Sequence, residues 1–172
     1  MRLLPTISQL LLSLALALTV TACSDSSTPG NETKAVVTEI PEAIQKFTLT
    51  TTGTLLAWAI VDGGTPVAMN INTVAGTASV TITDLSRASH TVQIIYEYNI
   101  GGTLYTLATA SNTVDLSSGS GSLNFASGDF DTASHDSDGD GISNADEVAA
   151  GTDPGDGACV LGTSLLGSCT LG

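Results

Sequence analysis

Asp136, Asp138 and Asp140 alternate along the chain, Gly141 follows them, and Glu147 closes the run. Acids at alternate positions present carboxylate oxygens on one side of an irregular loop. Gly141 permits a backbone turn that a side chain resists. A glutamate in the last place reaches back with both oxygens. The residues satisfy D-x-[DN]-x-[DN]-G-x5-E, a cage of hard oxygens suited to Ca2+, which takes about six to eight such ligands at ~2.3–2.6 Å. The expected ligands are Asp136, Asp138, Asp140, the backbone carbonyl of Ile142, the side-chain oxygen of Asn144 (directly or through water) and Glu147. The Ile142 side chain is expected to pack inward. His135, next to the loop, is expected to play no part.

The flanks decide what kind of loop this is. A helix–loop–helix calcium switch needs an amphipathic helix on each side. Upstream, Ser127-Gly128-Asp129-Phe130-Asp131 is no helix. Downstream, Ala145 to Ala150 allows only a short helix, ended by Gly151 and Pro154. The aliphatic Ile142 also follows Gly141 directly. Asp-Ser-Asp-Gly-Asp-Gly-Ile-Ser-Asn-Ala-Asp-Glu-Val-Ala-Ala-Gly-Thr-Asp-Pro, residues 136–154, resembles one thrombospondin type 3 repeat of the bacterial kind. The resemblance implies a structural calcium ion, with Asp153 a candidate further ligand.

Charge points the same way. The 172 residues hold 17 acidic and 4 basic side chains, a formal charge of −13. Nucleic acid is excluded as a partner, because phosphate binding needs Lys and Arg in numbers. Electrostatic adhesion to anionic lipid is disfavoured for the same reason. The acids from Asp129 to Asp156 are crowded enough to repel one another unless cations neutralise them.

The N-terminus carries an address. Met1-Arg2 is cationic, and Leu10 to Val20 is almost wholly apolar, as in a secretory signal. Val20-Thr21-Ala22-Cys23 resembles the lipobox of bacterial lipoproteins. That resemblance implies cleavage before Cys23, lipid on its thiol and a place in the bacterial cell envelope. Ser24 after the cysteine favours the outer membrane, and acyl chains in pairs anchor stably. With Cys23 lipidated, Cys159 and Cys169 remain, and an oxidising compartment favours a local disulfide between them. Zinc ligation by these two is weakly supported, because neither lies in a C-x2-C pair. Residues 24–33 are polar, and 23–42 is expected to be a flexible tether.

Residues 43–131 are expected to form the scaffold. Thr, Val and Ile alternate with polar residues in short runs between turn signals. Seven strands are expected: 44–52, 54–61, 66–73, 77–83, 90–99, 103–115 and 121–126. Their number and spacing point to a mainly β, immunoglobulin- or fibronectin-like sandwich. A short irregular calcium-binding segment (132–157) and a disulfide-closed tail (158–172) follow. Leu55 to Val61 is apolar on both faces, which suits a strand covered on both. Trp58, Tyr96 and Tyr98 are assigned to the core, and His90 to the surface or a turn. Asn99-Ile-Gly101-Gly102 reads as a hairpin turn.

No G-x-S-x-G, H-E-x-x-H or phosphate loop is present. The leading expectation is a non-enzymatic, membrane-anchored calcium-binding lipoprotein with a structural or interaction role and a protein or glycan partner. An adhesion or carbohydrate-binding module is the alternative, and a hydrolase of unknown substrate ranks third.

Overall fold

The computed structural model describes residues 32–45, 53–118 and 123–157. The expected export signal, Cys23, the tether up to residue 31 and the Cys159–Cys169 pair lie outside the described residues.

Two four-stranded sheets form a β-sandwich. The strands are β1 (Glu32–Glu39), β2 (Thr54–Val61), β3 (Val67–Ala68), β4 (Asn70–Asn72), β5 (Thr77–Leu85), β6 (Ser89–Ile100), β7 (Thr103–Asp115) and β8 (Asn124–Phe125). One sheet has the order β4-β5-β1-β8, the other β3-β2-β6-β7. Pairing is antiparallel except for β1 with β8. A short helix, α1 (Glu42–Gln45), follows β1, and a second, α2 (Asn144–Ala150), lies near the C-terminal end of the described chain.

Alternation along β6 builds the core. Val92, Ile94, Tyr96 and Tyr98 are all buried. Tyr96 reaches the opposite sheet, where its hydroxyl and that of Thr38 on β1 lie 2.8 Å apart. A buried tyrosine needs such a partner for its polar end. The β6–β7 hairpin turns at Gly101 (φ 60°) and Gly102 (φ 98°), both left-handed. A two-residue turn of that hand matches strand twist, and Asn99 steadies it by accepting from the Gly102 N–H at 2.9 Å.

Five expectations change. Residues 32–39, expected within the tether, form β1, because Val36 and Thr38 bury their side chains between the sheets. Of the expected strand 44–52, Ile44 and Gln45 belong to α1, and 46–52 lie outside the described residues. The expected strand 66–73 is two strands in different sheets. The chain crosses at Met69, which is buried and donates its N–H to Ala57 O at 2.9 Å. Trp58 is not in the core. The inner positions of β2 go to Ala57 and Ala59, because Tyr96 and Ile94 stand opposite them in register and fill the space. Trp58, between the two alanines, therefore faces outward and is half-buried.

His90 is the fifth. It opens the inward face of β6 and is buried, so its polar ring needs partners. Nδ1 lies 2.7 Å from Asp62 Oδ2, and Nε2 lies 2.9 Å from the Ser86 carbonyl. The Ser86 hydroxyl is also near, at 3.3 Å. Carboxylate and carbonyl can only accept, so the protonated ring, with both nitrogens donating, suits these contacts best. This grouping of Ser, His and Asp is a clamp on the end of the sandwich. The hydrogen bond to Asp62 raises the His90 pKa above 6.5, and the bond from His90 lowers that of Asp62 below 3.8. A raised imidazole stabilises fully below its unfolded value, and a depressed carboxylate fully above its own. The clamp is therefore complete between pH 3.8 and 6.5 and is lost as pH climbs through the raised His90 value. In calcium-saturated protein, His90→Gln is expected to remove the part of the fall in melting temperature between pH 6 and 8 that this ring causes. Thermal scans at both pH values check it.

Candidate metal centre

The chain leaves the sandwich at Phe130 and pairs once more with β7, through Thr109 N to Asp131 O (3.0 Å) and Asp131 N to Thr109 O (2.8 Å). The acidic loop then runs into α2. Ser143 is the N-cap of α2, accepting from the Asp146 N–H at 3.2 Å and donating its hydroxyl to Asp146 Oδ2 at 2.8 Å. Such caps satisfy N–H groups that the helix leaves unpaired. Gly151, at φ 80°, ends the helix in the left-handed region, the usual place for glycine. Ala145 and Val148 turn inward and join the sandwich core. This places Glu147, on the same helix, in a site that is 1 % exposed.

The aspartates shape their own loop. Asp136 accepts from the N–H groups of Gly139 (2.8 Å) and Gly141 (3.0 Å). Asp138 Oδ1 accepts from Asp140 N at 3.1 Å, and Asp140 Oδ1 from Ile142 N at 2.8 Å. Gly139 and Gly141 take φ of 77° and 92°, so the turn relies on both. Each aspartate thus spends oxygen on the backbone. Four others are buried with no hydrogen-bond partner: Asp138 Oδ2, Asp140 Oδ2 and both oxygens of Glu147. Ligand atoms of Asp136, Asp138 and Asp140 lie within 4.8 Å of one another.

Charge records the crowding. Burial, and then the charges of Asp138, Asp140, Asp136 and Asp153, push Glu147 up to about 7. Burial also raises Asp138, reinforced by Asp140 and Asp136. Burying unpaired carboxylates costs several kcal/mol each unless a cation meets them. The donor set fits a hard divalent cation. It offers anionic oxygens alone, with no thiolate or imidazole.

The profile of the bacterial TSP3 repeat matches residues 136–157. No curated protein and no solved structure matches the chain.

Asp136, Asp138 and Asp140 converge, and Glu147 lies near enough for their charges to raise its pKa. Asp153 is exposed, with Oδ1 accepting from Gly155 N at 3.0 Å, yet close enough for its charge to raise Glu147. Ile142 is half-buried. Asn144 is tied to the sheet. Its amide donates to Thr106 O on β7 (2.7 Å) and to Ser137 Oγ (2.9 Å), and accepts from Ser137 N (2.9 Å). Both donors are used, and the side chain fastens the loop to the sheet. His135 fastens it too, its carbonyl accepting from Asn144 N at 2.7 Å. Sequence reasoning missed Tyr105 of β7. It lies against Gly155, where any side chain would collide with the tyrosine hydroxyl. Burial, then the charge of Asp153, raises its pKa. No local signal links Tyr105 to the repeat, because their approach depends on the fold.

Asn144→Ala is expected to cost about 1–3 kcal/mol, because the Thr106 carbonyl and the Ser137 groups lose a buried partner. Metal affinity should fall less than on loss of an acid. Chemical denaturation and calorimetric titration separate the two effects.

Proposed function

We propose that this protein binds calcium through Asp136, Asp138, Asp140 and Glu147, with the Ile142 carbonyl, Asn144 and Asp153 as further candidate ligands, and that the ion locks the repeat onto the sandwich. The four buried, unpartnered carboxylate oxygens carry this reading. A bound ion would supply the positive charge that Glu147 and its neighbours lack. The match to a bacterial TSP3 repeat supports calcium over other hard cations. The role is structural rather than signalling: α2 is one short helix whose inner face already belongs to the core, and among the described residues no α-helix leads directly into the acidic loop to form the pair that a calcium switch reorients.

We further infer an exported lipoprotein, anchored in the bacterial envelope through Cys23, with the Cys159–Cys169 disulfide closing its tail. The lipobox and the cysteine count support this. Extracellular calcium sites work at about 10⁻⁴–10⁻³ M, which suits that setting. The protein is read as a non-enzymatic structural or interaction module.

Calcium titration by calorimetry tests the proposal. Wild type should bind and gain about 1–2 kcal/mol of stability when calcium exceeds its Kd about tenfold. Asp138→Ala should lose both. A flat wild-type titration, or an equal response in Asp138→Ala, rejects the site. Mass spectrometry of the native N-terminus tests cleavage and lipid at Cys23.

A further inference from the structure

The strand β2 is apolar on both faces, but the opposing sheet covers only one. On the other, Trp58 and Ile60 stand beside Ile95 and Glu97 of β6 and Leu104 of β7. With Pro66 they line an open trough of about 390 Å³. Leu104 is 50 % exposed. An apolar lining broken by one acidic side chain offers a ligand both apolar contact and a fixed polar anchor.

Among the described residues, Glu97 is the one charged residue that lines the trough. Its Oε2 accepts from Trp58 Nε1 at 2.8 Å. This bond fixes the indole and uses its single donor, so the ring can offer a ligand only its face. A tryptophan face attracts cations, and the carboxylate beside it does so more strongly. The apolar walls suit an alkyl stem.

We propose that this trough binds a lysine or arginine side chain of a partner protein. The aliphatic stem lies on Ile60, Pro66, Ile95 and Leu104, and the cationic head sits at the Trp58 face beside Glu97. Charge complementarity selects this occupant. The chain carries a net −13, which steers basic partners toward it. A second copy would bring another −13 and another Glu97 to the same face. A sugar would meet one polar side chain where its hydroxyls need several directed partners.

Trp58 is the sole tryptophan, so its emission reports occupancy. The full-length protein, saturated with calcium to neutralise the acidic loop, is titrated with the peptides Ac-Leu-Arg-Leu-amide and Ac-Leu-Glu-Leu-amide, and with cellohexaose. The arginine peptide is expected to change Trp58 emission saturably, and the glutamate peptide is not. Glu97→Gln keeps an acceptor for the indole N–H but loses the charge. It should weaken the arginine peptide about threefold to fivefold, the scale of an exposed ion pair, without moving the melting temperature. Raising the salt should weaken binding as well. Unchanged emission with the arginine peptide, an equal response in Glu97→Gln, a response to cellohexaose alone, or dimerisation that shields Trp58 would each overturn the proposal. The trough is scored by the difference between the arginine and glutamate peptides and the calcium site by calorimetry, so failure of either leaves the other standing.

Discussion

Glu147→Gln is expected to raise the melting temperature of the calcium-free protein at pH 8 and to abolish its rise with calcium. Few acid-to-amide changes should move stability in opposite directions according to the ligand. This one does because Glu147 is 1 % exposed and neither oxygen has a partner. Burial and four nearby acids push its pKa up to about 7, against 4.5 for an ordinary glutamate. With the folded value raised, the folded chain favours the protonated form. Calcium-free stability is thus complete below about pH 4.5 and declines as pH climbs through 7. Glutamine carries no charge to bury, and its amide donates where Asp138 and Asp140 hold unpartnered oxygens. The gain should be about 1–3 kcal/mol, the cost of an unsatisfied buried group, or a few degrees for each kcal/mol. The same residue predicts that wild-type calcium affinity falls as pH drops below 7, because protons compete for the carboxylate. Thermal scans of both proteins at pH 5.5 and 8, with calcium and with chelator, decide the matter. A calcium-free melting temperature that Glu147→Gln lowers would remove Glu147 from the centre.

The clustering of Asp136, Asp138 and Asp140 was legible because its geometry is local. Alternating aspartates, a glycine and a glutamate within one short run need little help from the rest of the chain to converge. The tie that Asn144 makes to the sheet was not legible, because Thr106, which accepts from its amide, lies on a distant strand. The sheet faces follow the same division. Alternation along β6 identified Tyr96 and Tyr98 as core, because one face of that strand is polar except at Ile95. Along β2 both faces are apolar, so hydrophobicity cannot say which one is covered. Size could have: Ala57 and Ala59 are small enough to lie opposite Tyr96 and Ile94, and Trp58 is not. Ile95 beside it is the second sign of an uncovered face. β1 escaped detection for another reason. It follows a polar run, and its partner β5 lies far along the chain.

Phe130→Ala is expected to be the most damaging single truncation. Phenylalanine to alanine in a packed core costs about 3–5 kcal/mol, against a total of about 5–15 kcal/mol for an ordinary domain. Phe130 is 8 % exposed, 5.4 Å from Tyr96 edge-to-face and 6.1 Å from Phe125, measured between ring centres. Its position makes the loss reach further. It is the last core residue before the acidic loop, and Asp131 after it pairs with β7. Val148 and Ala145 of the repeat lie in the same core as Phe130. Repeat and sandwich are therefore joined by one apolar cluster, through which the proposed ion would stabilise the sandwich. The wild type should unfold in a single transition, with Trp58 emission and far-ultraviolet circular dichroism coincident and both shifted together by calcium. Phe130→Ala should lower that midpoint, and calcium should restore only the part set by its own binding energy, at a weakened affinity. If the repeat were a separate appendage, Trp58 emission in β2 would ignore calcium altogether, and Phe130→Ala would leave calcium affinity untouched. Denaturant titrations with and without calcium distinguish the two, because only a shared core lets an ion bound near Glu147 move a tryptophan in the opposite half of the sequence.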